Sequence, residues 1–147
     1  MKALDSLPSL TRNDDLDEDG CNATVAALLR GPALTIGNRT LVGEARRLLV
    51  EYRAPAIVVI DDNDDVRGII TRTDVLRARD LTVPAEDVMS MFIFALPWTA
   101  SIERAASLIA CEGVGQVLVT GFGNSLLGIV SAVDIARYFA LETRRLH

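Results

Sequence analysis

The chain states one pattern twice. Residues 68–77 read Gly68-Ile69-Ile70-Thr71-Arg72-Thr73-Asp74-Val75-Leu76-Arg77. Sixty positions later, residues 128–137 read Gly128-Ile129-Val130-Ser131-Ala132-Val133-Asp134-Ile135-Ala136-Arg137. The register holds upstream without a gap: Ala45 and Leu48 meet Ala105 and Leu108, and Ile57-Val58-Val59 meets Val117-Leu118-Val119. A repeat kept in register over this length implies two copies of one supersecondary unit. Both copies keep a hydroxyl and a carboxylate three residues apart, directly after an apolar run.

Half of the 147 residues are hydrophobic, so a packed globule is expected. The net charge of −5 sits mainly at the start. There, Asp5, Asp14, Asp15, Asp17, Glu18 and Asp19 face only Lys2 and Arg12. No basic face dominates the remainder, which argues against nucleic acid as a partner. The longest apolar stretches, Ala54–Ile60 and Met91–Trp98, fall short of the roughly 20 residues of a spanning helix. No basic-then-apolar leader opens the chain. Cys21 and Cys111 make neither a metal spacing nor a disulfide framework. A cytoplasmic protein outside the membrane, with two free thiols, is the expectation.

Residues 1–21 form an acidic arm without periodicity, expected to be disordered or loosely docked. Repeat 1 occupies 22–80, and repeat 2 occupies 81–147 with a C-terminal helix extension. Each repeat opens with a short helix, Ala23–Leu29 or Ala85–Met89, and an extended segment, Ala33–Ile36 or Ile93–Leu96. Apolar residues at spacings of three and four then predict helices through Val42, Ala45, Leu48, Leu49 and Tyr52, and through Ile102, Ala105, Leu108 and Ile109. Thr40 and Ser101 are the expected N-caps. Ala56–Ile60 is continuously apolar and β-branched, which predicts a strand buried on both faces. A polar turn, Asp61–Asp65 or Gly121–Ser125, leads into a second strand, and a last helix starts near Thr73 or Val133. The fold class is α+β, two pseudo-symmetric β-α-β-β-α repeats packed as one module.

Thr71-x-x-Asp74 and Ser131-x-x-Asp134 sit where a strand turns into a helix, the pattern of a capping box. Caps do not require the same neighbours twice, yet both follow Gly-Ile-Ile/Val. Over roughly residues 22–138 the sequence resembles the tandem cystathionine-β-synthase (CBS) domain family, the CBS pair. The resemblance rests on Gly68-x-x-Thr71-x-x-Asp74, Gly128-x-x-Ser131-x-x-Asp134 and the linker Asp87-Val88-Met89. It rests also on Ala54-Pro55-Ala56-Ile57-Val58-Val59 and Val114-Gly115-Gln116-Val117-Leu118-Val119. It implies a non-catalytic regulatory module whose clefts between the repeats bind an adenosine-containing small molecule: AMP, ADP, ATP or S-adenosylmethionine. No cofactor is required.

On that resemblance, Asp74 and Asp134 would take the ribose hydroxyls, since a carboxylate can accept from both. Thr71 and Ser131 would donate to phosphate or ribose. Adenine would lie against the strand starts at Pro55-Ala56 and Gly115-Gln116. Arg72 is a candidate phosphate partner, whereas repeat 2 has Ala132 there, so the second site is expected to be the poorer one for phosphates. A homodimer and a regulated partner protein complete the implied partners. The alternative is a ligand-free interaction module of the same fold.

Other motifs are weaker. Asp15-x-Asp17-x-Asp19-Gly20 begins like a calcium loop, but its twelfth position is Ala26. Asp61–Asp65 reads as a hairpin turn. Gly113-x-Gly115 and Gly121-x-Gly123 lack the third glycine of a dinucleotide loop. His147 is the one histidine, so the body holds no histidine for acid–base work. Cys111 has no partner base and reads as a buried or half-buried thiol. Trp98 stands where repeat 1 has Asn38 and suits either stacking or an interface.

Overall fold

The computed structural model describes residues 23–145, so the readings of the acidic arm, its calcium-loop resemblance, Cys21 and His147 lie outside the described residues. The described residues form two compact units. One is Ala33–Phe94; the other joins residues 23–32 to 95–145.

In the first unit, β1 (Thr35–Gly37) runs parallel to β2 (Ala56–Ile60), and β2 pairs antiparallel with β3 (Val66–Thr71). A parallel pair needs a crossover, supplied by α1 (Val42–Tyr52). Val42, Ala45 and Leu49 bury one face of α1, Leu48 is half-buried, and Tyr52 is exposed. Those side chains join Ile36, Ile57, Val59, Ile70 and Val75 in the core. Each large aliphatic so buried is worth about 1.5–3 kcal/mol. Successive residues Ile57, Val58 and Val59 are all fully buried, as continuous apolarity predicts. Asp61 organises the hairpin turn: its Oδ1 accepts from the N–H groups of Asn63 and Asp65. A register shift between Val59 and Ile60 leaves Arg67 as an extra residue just before Gly68. The six-residue α2 (Arg72–Arg77) follows β3 at once.

The second unit repeats this plan. β4 (Ala95–Pro97) is parallel to β5 (Gln116–Thr120), which pairs antiparallel with β6 (Leu126–Ser131). α3 (Ile102–Glu112) is the crossover, and α4 (Ala132–Arg145) follows β6. Ile102, Ala105 and Leu108 are the buried stripe of α3. Gly113 ends α3 at φ 66°, a left-handed cap natural to glycine; α1 ends the same way on Arg53 at φ 50°. Cys111 lies in the last turn of α3 and is exposed, not the buried or half-buried thiol expected from sequence. Trp98 and Phe122 form a tilted ring pair, with centroids 6.2 Å apart.

The compact units are cut differently from the sequence repeats. The leading helices are single 3-10 turns, Val25–Leu28 and Ala85–Asp87. The first belongs to the unit of β4–β6: Thr24 bridges to Ser101, and the Val25 N–H donates to the Ala100 carbonyl at 2.9 Å. The second belongs to the unit of β1–β3: the Ala85 N–H donates to the Thr40 carbonyl at 2.7 Å. This lead also decides how α1 is capped. The Val42 and Gly43 N–H groups donate to the carbonyls of Val83 and Leu81, each at 2.9 Å. Backbone therefore satisfies donors that a side chain would otherwise take. The N-cap is Leu41 with no side-chain bond, so Thr40 is not the cap expected from sequence. Ser101 is one: its Oγ accepts from the Arg104 N–H at 3.1 Å.

The repeated glycines admit these leads. A Cβ on Gly68 would fall 2.8 Å from Met89 Cγ, Met89 Sδ and the Ser90 carbonyl oxygen. Ser90 and Ile69 exchange backbone hydrogen bonds of 2.8 and 2.9 Å at this crossing. A Cβ on Gly128 would fall 2.7 Å from Leu29 Cδ2 and 3.2 Å from the Gly31 carbonyl oxygen.

Candidate functional site

Antiparallel pairing sets the first residue of β2 beside the last of β3. Ala56 is thereby opposite Thr71, with Pro55 just before it and Arg72 opening α2. The corner gathers Pro55, Ala56, Thr71, Arg72 and Asp74. Its counterpart gathers Gly115, Gln116, Ser131 and Asp134: Gln116 is opposite Ser131, and the Ala132 N–H donates to the Gly115 carbonyl at 2.9 Å. Each set of residues singled out in the sequence is thus brought together within its own unit. Pro55, Gly115 and Arg72 are exposed, Ala56 and Ser131 are buried, and Thr71, Asp74, Gln116 and Asp134 are half-buried.

The capping box is present. Asp74 Oδ2 accepts from the Thr71 N–H at 2.8 Å and from the Thr71 hydroxyl at 3.0 Å, and Thr71 Oγ1 accepts from the Asp74 N–H at 3.3 Å. Ser131 and Asp134 repeat these bonds at 2.9, 2.9 and 3.2 Å. The single hydroxyl proton is committed to the carboxylate, so the hydroxyl offers a ligand an acceptor lone pair rather than a donor. The box uses one carboxylate oxygen and fixes the direction of the other.

The two remaining oxygens meet different surroundings. Among the described residues, Asp74 Oδ1 has no partner within an ion pair or hydrogen bond. Asp134 Oδ1 faces two guanidiniums, Arg30 Nε at 3.9 Å and Arg137 at 3.8 Å. The Asp134 side chain is only 17% exposed, whereas that of Arg30 is 69% exposed. Arg137 is a helix neighbour three positions on. Arg30 comes from the leading segment and was not legible from sequence, because the repeat register sets it against Ser90. Among the described residues there is no group of three metal-ligating side chains, and no helix long and apolar enough to cross a membrane.

Two three-stranded units, each ending its hairpin in a capped strand-to-helix corner, define a tandem α+β module. The CBS domain family matches residues 25–81, and the fold is that of solved CBS-domain pair proteins. The CBS domain pair of protein MJ0100, in complex with 5′-methylthioadenosine and S-adenosyl-L-methionine, is similar with a TM-score of 0.75 at 21% identity. That match covers 82% of this chain and 98% of the other. A CBS domain protein from Pyrobaculum aerophilum, complexed with AMP, gives a TM-score of 0.74 at 21% identity, covering 82% and 97%. In sequence, the chain is 29% identical over 104 residues to an inosine-5′-monophosphate dehydrogenase of Methanocaldococcus jannaschii. The match takes in 71% of this chain but only 21% of that relative's length.

Proposed function

We propose that the chain is a regulatory ligand-sensing module, not a catalyst, and that it binds adenosine compounds at its strand-to-helix corners. The observation that carries this reading is the half-used carboxylate of Asp74. One oxygen is anchored by Thr71, and the other is oriented and open. An ionised oxygen held this way is a ready acceptor for a ribose diol. Ala56 and Gln116 offer the backbone of the strand starts to an adenine edge. Arg72, exposed at the first position of α2, can reach a phosphate. The bound AMP, 5′-methylthioadenosine and S-adenosyl-L-methionine of two structural neighbours support this ligand class, with ADP and ATP in the same series. A second copy of the chain is the proposed macromolecular partner, beside a regulated protein. A reducing cytoplasm suits the exposed thiol of Cys111.

Titration calorimetry with adenosine, AMP, ADP, ATP and S-adenosylmethionine tests the proposal. Asp74→Asn keeps an amide oxygen for the Thr71 N–H but removes the charge. It should weaken binding at that corner by about 1.5–3 kcal/mol, roughly ten- to hundredfold. The capping box itself favours the second reading, a ligand-free interaction module, because it gives the repeated pattern a purely structural use. The absence of heat with every compound at millimolar concentration would leave that reading standing.

A further inference from the structure

We infer that Arg30 is a specificity-determining residue that makes ribose binding by Asp134 depend on the ligand's negative charge, while the Asp74 carboxylate needs no such charge to take a ribose. The inference rests on the adenosine reading above and adds to it which ligand each corner prefers. It gives the Asp134 corner the cationic partner for phosphate that Ala132 does not supply.

The geometry is specific to one unit. Gly128 lets Leu29 and the Gly31 carbonyl approach β6, and this holds the intervening Arg30 next to α4. Its Nε lies 3.9 Å from Asp134 Oδ1, and Arg137 approaches the same oxygen from the helix at 3.8 Å. The other oxygen of Asp134 is already committed to Ser131. An uncharged nucleoside that uses this carboxylate shares Oδ1 with two guanidiniums 3.8 and 3.9 Å away and returns nothing to them. A nucleotide brings its own replacement. Its phosphate accepts from the guanidiniums, whose planar forks bind phosphate oxygens bidentately, and Oδ1 is left to accept from the ribose. At the first corner the position equivalent to Arg30 is Ser90, engaged with Ile69 through backbone. Asp74 Oδ1 there is open to a diol whatever the ligand's charge.

The test compares AMP with adenosine by calorimetry on single-corner variants. Asp74→Asn isolates the Asp134 corner, and Asp134→Asn isolates the other. With Asp74→Asn, AMP should bind at least tenfold more tightly than adenosine. Adding Arg30→Ala should weaken AMP about tenfold and leave adenosine unchanged or tighter; Arg30→Lys should recover part of the AMP affinity. With Asp134→Asn, Arg30→Ala should change neither ligand. Arg30 is mostly exposed, so its truncation should leave the melting temperature near that of the parent. An unchanged AMP-to-adenosine ratio at the Asp134 corner would overturn the inference, as would loss of all binding in Asp74→Asn while the wild type still binds. Failure of the wild type to bind either compound would overturn the adenosine reading itself.

Discussion

At the scale of single residues, one absent carbon accounts for each repeated glycine. The strand of Gly68 is crossed by Met89 and Ser90, and that of Gly128 by Leu29 and Gly31. The neighbours differ in how far they can yield. At Gly68 one of the atoms 2.8 Å from an added Cβ is a backbone carbonyl oxygen tied into the Ile69–Ser90 pair. At Gly128 the nearest atom is the far end of Leu29, and the backbone oxygen stands at 3.2 Å. Overpacking of this kind costs about 1–3 kcal/mol. Gly68→Ala should lie at the upper end and Gly128→Ala at the lower, measured by urea denaturation. Equal losses, or none at position 68, would contradict the account. The sequence shows that both glycines matter, since they recur in register. It does not show why, because the crowding atoms lie in segments assigned by periodicity to the opposite repeat.

The elements themselves were legible wherever one physical signal dominated. Helical spacing of Val42, Ala45 and Leu49 foretold α1, and the unbroken apolar run Ala56–Ile60 foretold a strand buried on both faces. Asp61-Asp62-Asn63-Asp64-Asp65 foretold a turn, and Asp61 supplies its hydrogen bonds. Helix starts were less legible, because a cap can come from remote backbone. Ser101 caps α3 with its own hydroxyl, whereas α1 borrows the carbonyls of Leu81 and Val83. Ser101→Ala should therefore cost about 1 kcal/mol in thermal or urea unfolding, while Thr40→Ala should cost much less. A comparable loss at both positions would restore Thr40 as a cap. The candidate site divides along the same line. Thr71, Asp74, Ser131 and Asp134 are a local pattern and were found. Arg30 reaches Asp134 only through the placement of a leading segment, and no local signal announces that.

For the whole molecule, the large exposed apolar residues direct the assembly prediction. Val133, Phe139 and Leu141 on α4 are 62%, 38% and 51% exposed, and Val50 and Leu76 are exposed as well. Light scattering at micromolar concentration should return a dimer, and Val133→Glu with Leu141→Glu should shift it toward monomer without unfolding it. A monomeric wild type would remove this argument. The exchange of leading segments also has a temporal side. A chain emerging from the ribosome has every strand of the first unit, together with Val83, Ala85 and Ser90, once residue 90 is out. The segment around Val25 was made earlier, yet its partner Ala100 comes later and the strand that receives Leu29 later still. Synthesis thus completes the middle of the chain first. The segment of residues 23–32 waits for the strands after residue 95, and Arg30 takes its place beside Asp134 only as α4 forms.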